Sequence, residues 1–275
     1  MKLAYRWIPH AVLLGIAVVW VYPFVWMISS SFKTNAEYFN RGLSLFPEQF
    51  RWDNYIRAWE VARFSVYFKN SLIMTVATVA IVVVICAMTG YALGRVDFFG
   101  RKIFIVAVTA TMFIPKGYTI IPVYQVIKAL GLLNTMPGLI LAESGGAHVL
   151  FILLFTAHFS GLPKELEESA EMDGCGFVRT FWSIMLPLSK PILATTIVMQ
   201  FMWAWNSFFT PLVFTLNNPD LRTLSVGMYS FIGEYASDYT GLAAAATISI
   251  LPIMIVFIAM QKYFVEGITT TGLKG

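Results

Sequence analysis

The chain has 275 residues, 58% of them hydrophobic and only 12% charged, with a net charge of +4 and a mean hydropathy of +0.71. That is more apolar surface than one soluble core of this length buries, so the composition excludes an ordinary soluble domain and points to a membrane protein. The small, thinly spread positive charge gives no ground for nucleic-acid binding, and the distant cysteines Cys86 and Cys175 lack the spacing of a disulfide framework or redox motif.

A helix needs roughly 20 apolar residues to cross about 30 Å of hydrocarbon. The first such run, Ile8 to Ser30, follows Lys2 and Arg6 and continues well past the core of a secretory signal, so it is read as an uncleaved anchor. The second, Ser71 to Leu93, is rich in Val, Ile and Ala and free of charge. A third, Ile103 to Tyr124, is interrupted by Pro115, Lys116 and Pro122, and a break is expected toward its far end. Lys116 there is placed to snorkel. The fourth, Pro137 to Phe159, contains Glu143, Gly145, Gly146, His148 and His158. Glu143 reads in two ways: a carboxylate for a solute's hydroxyl, or one that faces an aqueous vestibule or pairs with Lys116. The histidines have no metal-ligand spacing and read as structural.

Between the fourth and fifth runs stands PKELEESAEMDG, Pro163 to Gly174, with five carboxylates in twelve positions. Pro163 suits a first turn, Glu165, Glu167 and Glu168 suit a helix N-terminus, and Gly174 suits a stop, so a short acidic helix is expected. After Gly174 and Gly176, FVRTFWSIMLP spaces Phe177, Phe181 and Ile184 as a second, broadly apolar helix. The insert reads as a protruding wedge held by an aromatic face. The fifth run, Ile192 to Phe214, carries Trp205 and Asn206, an indole and an amide suited to stacking on and bonding a polar solute; packing is the other reading. The sixth, Leu242 to Phe264, precedes a short polar tail. Period-two alternation is absent, which excludes a membrane β-barrel. The fold class is therefore an all-α bundle of six transmembrane helices, a single domain over residues 1–275.

Six spans put both termini on one side. With the termini inside, ten of the nineteen Lys and Arg are cytoplasmic, a nearly even split, because Phe32 to Lys69 carries six on the outside. The cluster Arg95 to Lys102 and the acidic loop Leu216 to Gly241 favour the termini, and the wedge, in the cytoplasm.

Glu168, Ser169, Ala170, then Gly174, then Ile184, Leu186 and Pro187 resemble the E-A-A, three residues, G, nine residues, I-x-L-P motif of bacterial ABC importer permeases, with Ser for the second Ala. SSFK at Ser30 to Lys33, DNY at Asp53 to Tyr55, NSL at Asn70 to Leu72, GLLNT at Gly131 to Thr135, WN at Trp205, and the tail YFVEGITTTGLKG resemble the maltose-type smaller permease of the carbohydrate branch. The resemblance implies that the wedge docks in a cleft of a separate ATPase subunit, through Glu168, Ser169, Ala170, Asp173 and Gly174, with Phe177, Phe181 and Trp182 holding it to the bundle. It also implies that the tail, with Thr271, Gly272 and Lys274, reaches between two ATPase subunits; by default a chain end frays. The implied assembly is this permease in the bacterial inner membrane with a second, homologous permease, two ATPase subunits and an extracytoplasmic solute-binding protein that delivers a sugar. Solutes of the glycerol-phosphate type are the alternative cargo.

A G-x-x-x-x-G-K-[ST] loop is absent, so the chain is expected to bind no cofactor, ATP and Mg being used by the partner ATPase. H-E-x-x-H and G-x-S-x-G are absent too, and no enzymatic role is expected. An ion-coupled secondary transporter would need buried titratable pairs, for which Glu143 is the only fair candidate.

Overall fold

The computed structural model describes residues 2–41, 44–60, 63–145, 148–231 and 238–272, with the backbone alone for 2–6, 116, 230 and 264–272. Among the described residues the structure is helical, with no strand. In chain order the helices are α1 (Lys2–Ser30), α2 (Asn35–Asn40), α3 (Asp53–Glu60), α4 (Phe64–Arg95), α5 (Arg101–Ala110), α6 (Lys116–Ala129), α7 (Met136–Ser144) and α8 (Val149–Ser160). They continue as α9 (Glu165–Met172), α10 (Phe177–Thr180), a π turn (Phe181–Met185), α11 (Leu186–Leu188), α12 (Lys190–Trp205), α13 (Phe209–Phe214), α14 (Leu224–Met228) and α15 (Tyr239–Gly272).

Three of these, α1, α4 and α15, are long and apolar enough to cross a membrane unbroken. Three bent pairs bring the number to six if each pair is one span: α5 with α6 at 110°, α7 with α8 at 59°, and the helix over 177–188 with α12 at 81°. Five of the predicted runs fall on these helices and pairs; the fifth, Ile192 to Phe214, coincides among them only with α12, because the pair at 81° joins α12 to the helix over 177–188 that the sequence assigns to the wedge. In the third the break falls at Thr111 to Pro115, mid-run, and not toward the far end. Ile114, forced extended by the proline after it, has φ −82° and ψ 116°, and Pro115 becomes the N-cap of α6. Pro122 sits inside α6 without ending it. The fifth run divides as well, α12 closing at Asn206. From Trp7 to Ile28 α1 is largely exposed, Trp20 for example by 73%. Such a surface would aggregate in water and is the natural outer face in hydrocarbon.

Two compact units make up the chain, Met1–Phe68 with Leu224–Leu251, and Lys69–Thr223 with Pro252–Gly275. The first is knotted by the residues of SSFK and DNY. Asn54 Nδ2 donates to the carbonyls of Ser31 and Lys33, both at 2.8 Å, and Tyr55 Oη lies 2.7 Å from Ser31 Oγ. Lys33 is fully buried and its ammonium donates to the Ser44 carbonyl; burial pushes its pKa down, opposed by the nearby Glu37 carboxylate. Asp238 begins α15 by accepting from the Gly241 N–H at 2.9 Å, and pairs with Arg57 at 3.3 Å.

The second unit holds two apolar clusters. One joins Val82, Cys86, Ala87 and Tyr91 of α4 to Phe151, Phe155 and Phe159 of α8 and to Phe181 and Met185. The close approach of α4 and α8 rests on Gly90 and Gly94, four apart on one face, because a Cβ on either would meet the α8 backbone. The other cluster gathers Met74, Ile127, Leu139, Ala142 and Phe214. GLLNT is the turn between α6 and α7. Gly131, at φ +69°, lets the Leu132 N–H reach the Ile127 carbonyl, and Thr135 Oγ1 caps α7 by accepting from the Gly138 N–H at 3.1 Å. NSL begins the unit, with Asn70 Nδ2 donating to the carbonyls of Asp220 (2.7 Å) and Arg222 (3.0 Å).

Candidate functional site

The acidic insert folds as a helix, a turn and a helix. Glu165, Glu167 and Glu168 occupy the first turn of α9, where the unpaired N–H groups favour negative charge. Pro163 lies just before the helix, not in its first turn, and Lys164 is the N-cap. Gly174 ends α9 at φ +77°, with the Cys175 N–H on the Ala170 carbonyl at 2.8 Å and the Gly174 N–H on the Glu171 carbonyl at 2.9 Å. This is the Schellman closure, and it demands a residue that accepts the left-handed region.

α9 has two unlike sides. Glu168, Ser169, Met172, Asp173 and Gly174 are exposed, Met172 by 89%. Ala170 departs from the expectation of a partner-facing small residue: it is 2% exposed, and its smallness serves the chain's own packing. Glu167 also turns inward. Its Oε1 accepts from Tyr91 Oη at 2.7 Å and its Oε2 from Arg95 Nε at 2.6 Å. The remaining Arg95 nitrogens donate to the carbonyls of Leu162 (2.9 Å) and Pro163 (3.0 Å), so one guanidinium holds both α9 and the strand of chain leading into it. Its side chain is only 5% exposed.

The three aromatics expected to anchor the wedge divide the work unequally. Phe181 is 3% exposed, in the cluster with Tyr91 and Phe159. Phe177 is half exposed yet stacks on Tyr91, centroids 4.7 Å apart at 26°. Trp182 is 45% exposed and touches Phe181 edge-on. The π turn from Phe181 to Met185 interrupts what the sequence suggests is a plain helix; the extra residue in the turn leaves both Phe181 and Met185 in the core. Sequence reasoning missed Tyr91 and Arg95, one helical turn apart at the end of an apolar run.

Of the proposed pathway residues, Trp205 is 2% exposed with Phe201 stacked on its indole, 5.6 Å between centroids at 10°. Asn206 is exposed and closes α12, its amide donating to the Met202 carbonyl at 2.8 Å. Glu143, in the last turn of α7, accepts from Ser207 Oγ at 3.0 Å. The three thus lie around one junction, with Ser207 as the member that spacing did not disclose. The side chains of Lys116 and Thr271 lie outside the described residues, Gly272 ends α15, and Lys274 lies wholly outside them. Among the described residues no group of three His, Cys, Asp or Glu could hold a metal.

The described residues form an all-α chain with up to six candidate membrane spans and a short helical wedge preceding α12, the architecture of a polytopic membrane protein. Residues 66–270 match the family described as "Binding-protein-dependent transport system inner membrane component", and the chain belongs to that family. It is 37% identical over 254 residues to "Probable ABC transporter permease protein YurM" of Bacillus subtilis strain 168, covering 92% of this chain and 84% of the relative. It is 35% identical to "Arabinooligosaccharides transport system permease protein AraQ" of Halalkalibacterium halodurans (94% and 93% covered) and 34% identical to "Diacetylchitobiose uptake system permease protein NgcG" of Streptomyces coelicolor (93% and 84% covered). Among solved structures it resembles a chain of a bacterial ABC transporter that imports the acidic polysaccharide alginate, with a TM-score of 0.81, 27% identity and coverage of 95% and 97%. The chain is a membrane permease of the ABC importer class, as the spaced motif implied.

Proposed function

We propose that the chain forms half of the translocation pathway of an ATP-driven importer for an oligosaccharide or related glycoside, beside a second, homologous permease. Two ATPase subunits bind and hydrolyse ATP with Mg, the wedge receives their motion, and a solute-binding protein delivers the sugar from outside. The chain binds no cofactor itself, lies in the inner membrane, and has its termini and wedge in the cytoplasm. The observation that carries this reading is the two-sided α9: Glu168, Ser169, Asp173 and Gly174 lie on an exposed edge while Glu167 and Ala170 fix the helix from within. Carboxylates on such an edge meet a cationic rim and set orientation, and small residues permit close approach. The names of the relatives support a sugar cargo, and Glu143, Trp205 and Asn206 are proposed for its path, Thr271, Gly272 and Lys274 for a contact with the ATPases.

Affinity purification of the tagged chain from its native host tests the reading. A co-purifying Mg-ATPase that is lost or uncoupled in Gly174→Asp is expected. A wild-type chain that brings down no nucleotide-hydrolysing partner overturns it. Thermal shift of the cognate binding protein against arabino-oligosaccharides, diacetylchitobiose and raffinose is expected to give stabilisation by one class; a shift only with non-glycosidic solutes overturns the sugar assignment.

A further inference from the structure

The wedge connects covalently to α8 before it and to α12 after it, and the shorter covalent route for a push is the helix over 177–188 into α12. The geometry points elsewhere. Between Leu188 and Lys190 the chain bends by 81° at Ser189, so a thrust along one helix is poorly passed to the next. α9, in contrast, is bonded laterally to the end of α4, which is distant in sequence. Glu167 takes hydrogen bonds on both carboxylate oxygens from Tyr91 and Arg95, and Arg95 spends its other donors on the two carbonyls that precede α9. A planar guanidinium bonded on three nitrogens holds orientation as well as distance, unlike a single contact. Immediately above it, Gly90 and Gly94 bring the backbone of α4 onto α8, with Ser160 Oγ donating to the Gly94 carbonyl at 3.3 Å, and Phe177 and Phe181 of the wedge lie on the Tyr91 ring.

We propose that Arg95, Tyr91 and Glu167 are a joint that delivers the displacement of α9 to α4 and α8, which move as one piece, so that the second and fourth spans, and not the fifth, are the driven elements. The inference rests on the coupling role of the wedge proposed above. Arg95, Tyr91 and Glu167 act as positioning residues; none touches the solute or the nucleotide.

The test is hydrogen–deuterium exchange on the whole complex in nanodiscs, with and without Mg-ATP and orthovanadate, in wild type, Glu167→Gln and Tyr91→Phe. Tyr91→Phe keeps the ring stacks and the Arg95 bonds and removes one hydroxyl, so it folds even if Glu167→Gln does not. In wild type, trapping is expected to change exchange both at 164–173 and at 90–100. In the variants the change at 164–173 persists, while that at 90–100 falls at least two-fold, more in Glu167→Gln than in Tyr91→Phe. Variants that respond at both segments as wild type does overturn the joint and leave the coupling role standing. A wild-type complex that hydrolyses ATP yet shows no response at 164–173 overturns the coupling role itself.

Discussion

Gly90 of α4 lies against Phe155 of α8 so closely that a Cβ on the glycine would overlap the phenylalanine Cβ, whereas at Gly94 the nearest neighbour, the Thr156 carbonyl oxygen, would stand at 3.0 Å. Overfilling a tight contact costs about 1 to 3 kcal/mol. Gly90→Ala is therefore expected to lower the melting temperature of the purified complex more than Gly94→Ala. The reverse order in a thermal-aggregation assay would show that the helices can separate at Gly90 without loss.

Asn70 is 7% exposed and bridges two carbonyls across 150 and 152 residues of chain. Asn70→Ala orphans both and should cost roughly 2 kcal/mol. Asn70→Asp should be worse, since it sets a carboxylate oxygen against carbonyl oxygens. Limited proteolysis around residues 216–223 reads the effect, and an aspartate variant as resistant as wild type would contradict the bridge.

At Gly174 the left-handed backbone, and not crowding, limits substitution: nothing lies within 4 Å of a Cβ built there. Asn visits this region readily, while Ala pays about 1 to 2 kcal/mol and a β-branched residue more. Thermal stability should fall in the order Gly, Asn, Ala, Val. If Gly174→Asn is as stable as wild type but does not stimulate ATP turnover, the defect belongs to the docked surface; equal stability of Val and Asn would refute the conformational argument.

Lys33 supplies a pH dependence. Its pKa is held below the ordinary 10.5 chiefly by burial. In the window between that lowered value and 10.5 the unfolded chain binds more protons than the folded one, so stability rises with pH across the window. Below it, both states carry the charge and the burial cost is paid in full. Relative to Lys33→Met, wild type should gain unfolding free energy as the buffer is raised from pH 8 toward 10.5. A flat difference would mean that the ammonium is solvated.

The apolar runs were legible because crossing hydrocarbon requires a local, contiguous signal: α1, α4 and α15 follow from their own residues. Gly174 was legible for a similar reason, since a helix stop in the left-handed region is a property of one residue and its neighbours. The break at Ile114 was locally encoded too, by Pro115, but Pro122 carries the same signature inside an intact helix, and composition does not rank the two. Placement across the chain was not legible. That Glu167 turns inward to Tyr91 and Arg95 while Glu168 stays exposed depends on which face of α9 meets the end of α4, and 72 residues separate Arg95 from its carboxylate.

The sequence by itself determined a bilayer-spanning helical chain with an acidic wedge between its fourth and fifth spans, because hydropathy, helix stops and a spaced motif are written in consecutive residues. Only the tertiary structure decided which side of the wedge is free and which is tied to α4. Those outcomes come from packing between segments far apart in the chain, where close backbone approach at Gly90 and Gly94 and the hydrogen-bond demands of a nearly buried guanidinium select one arrangement.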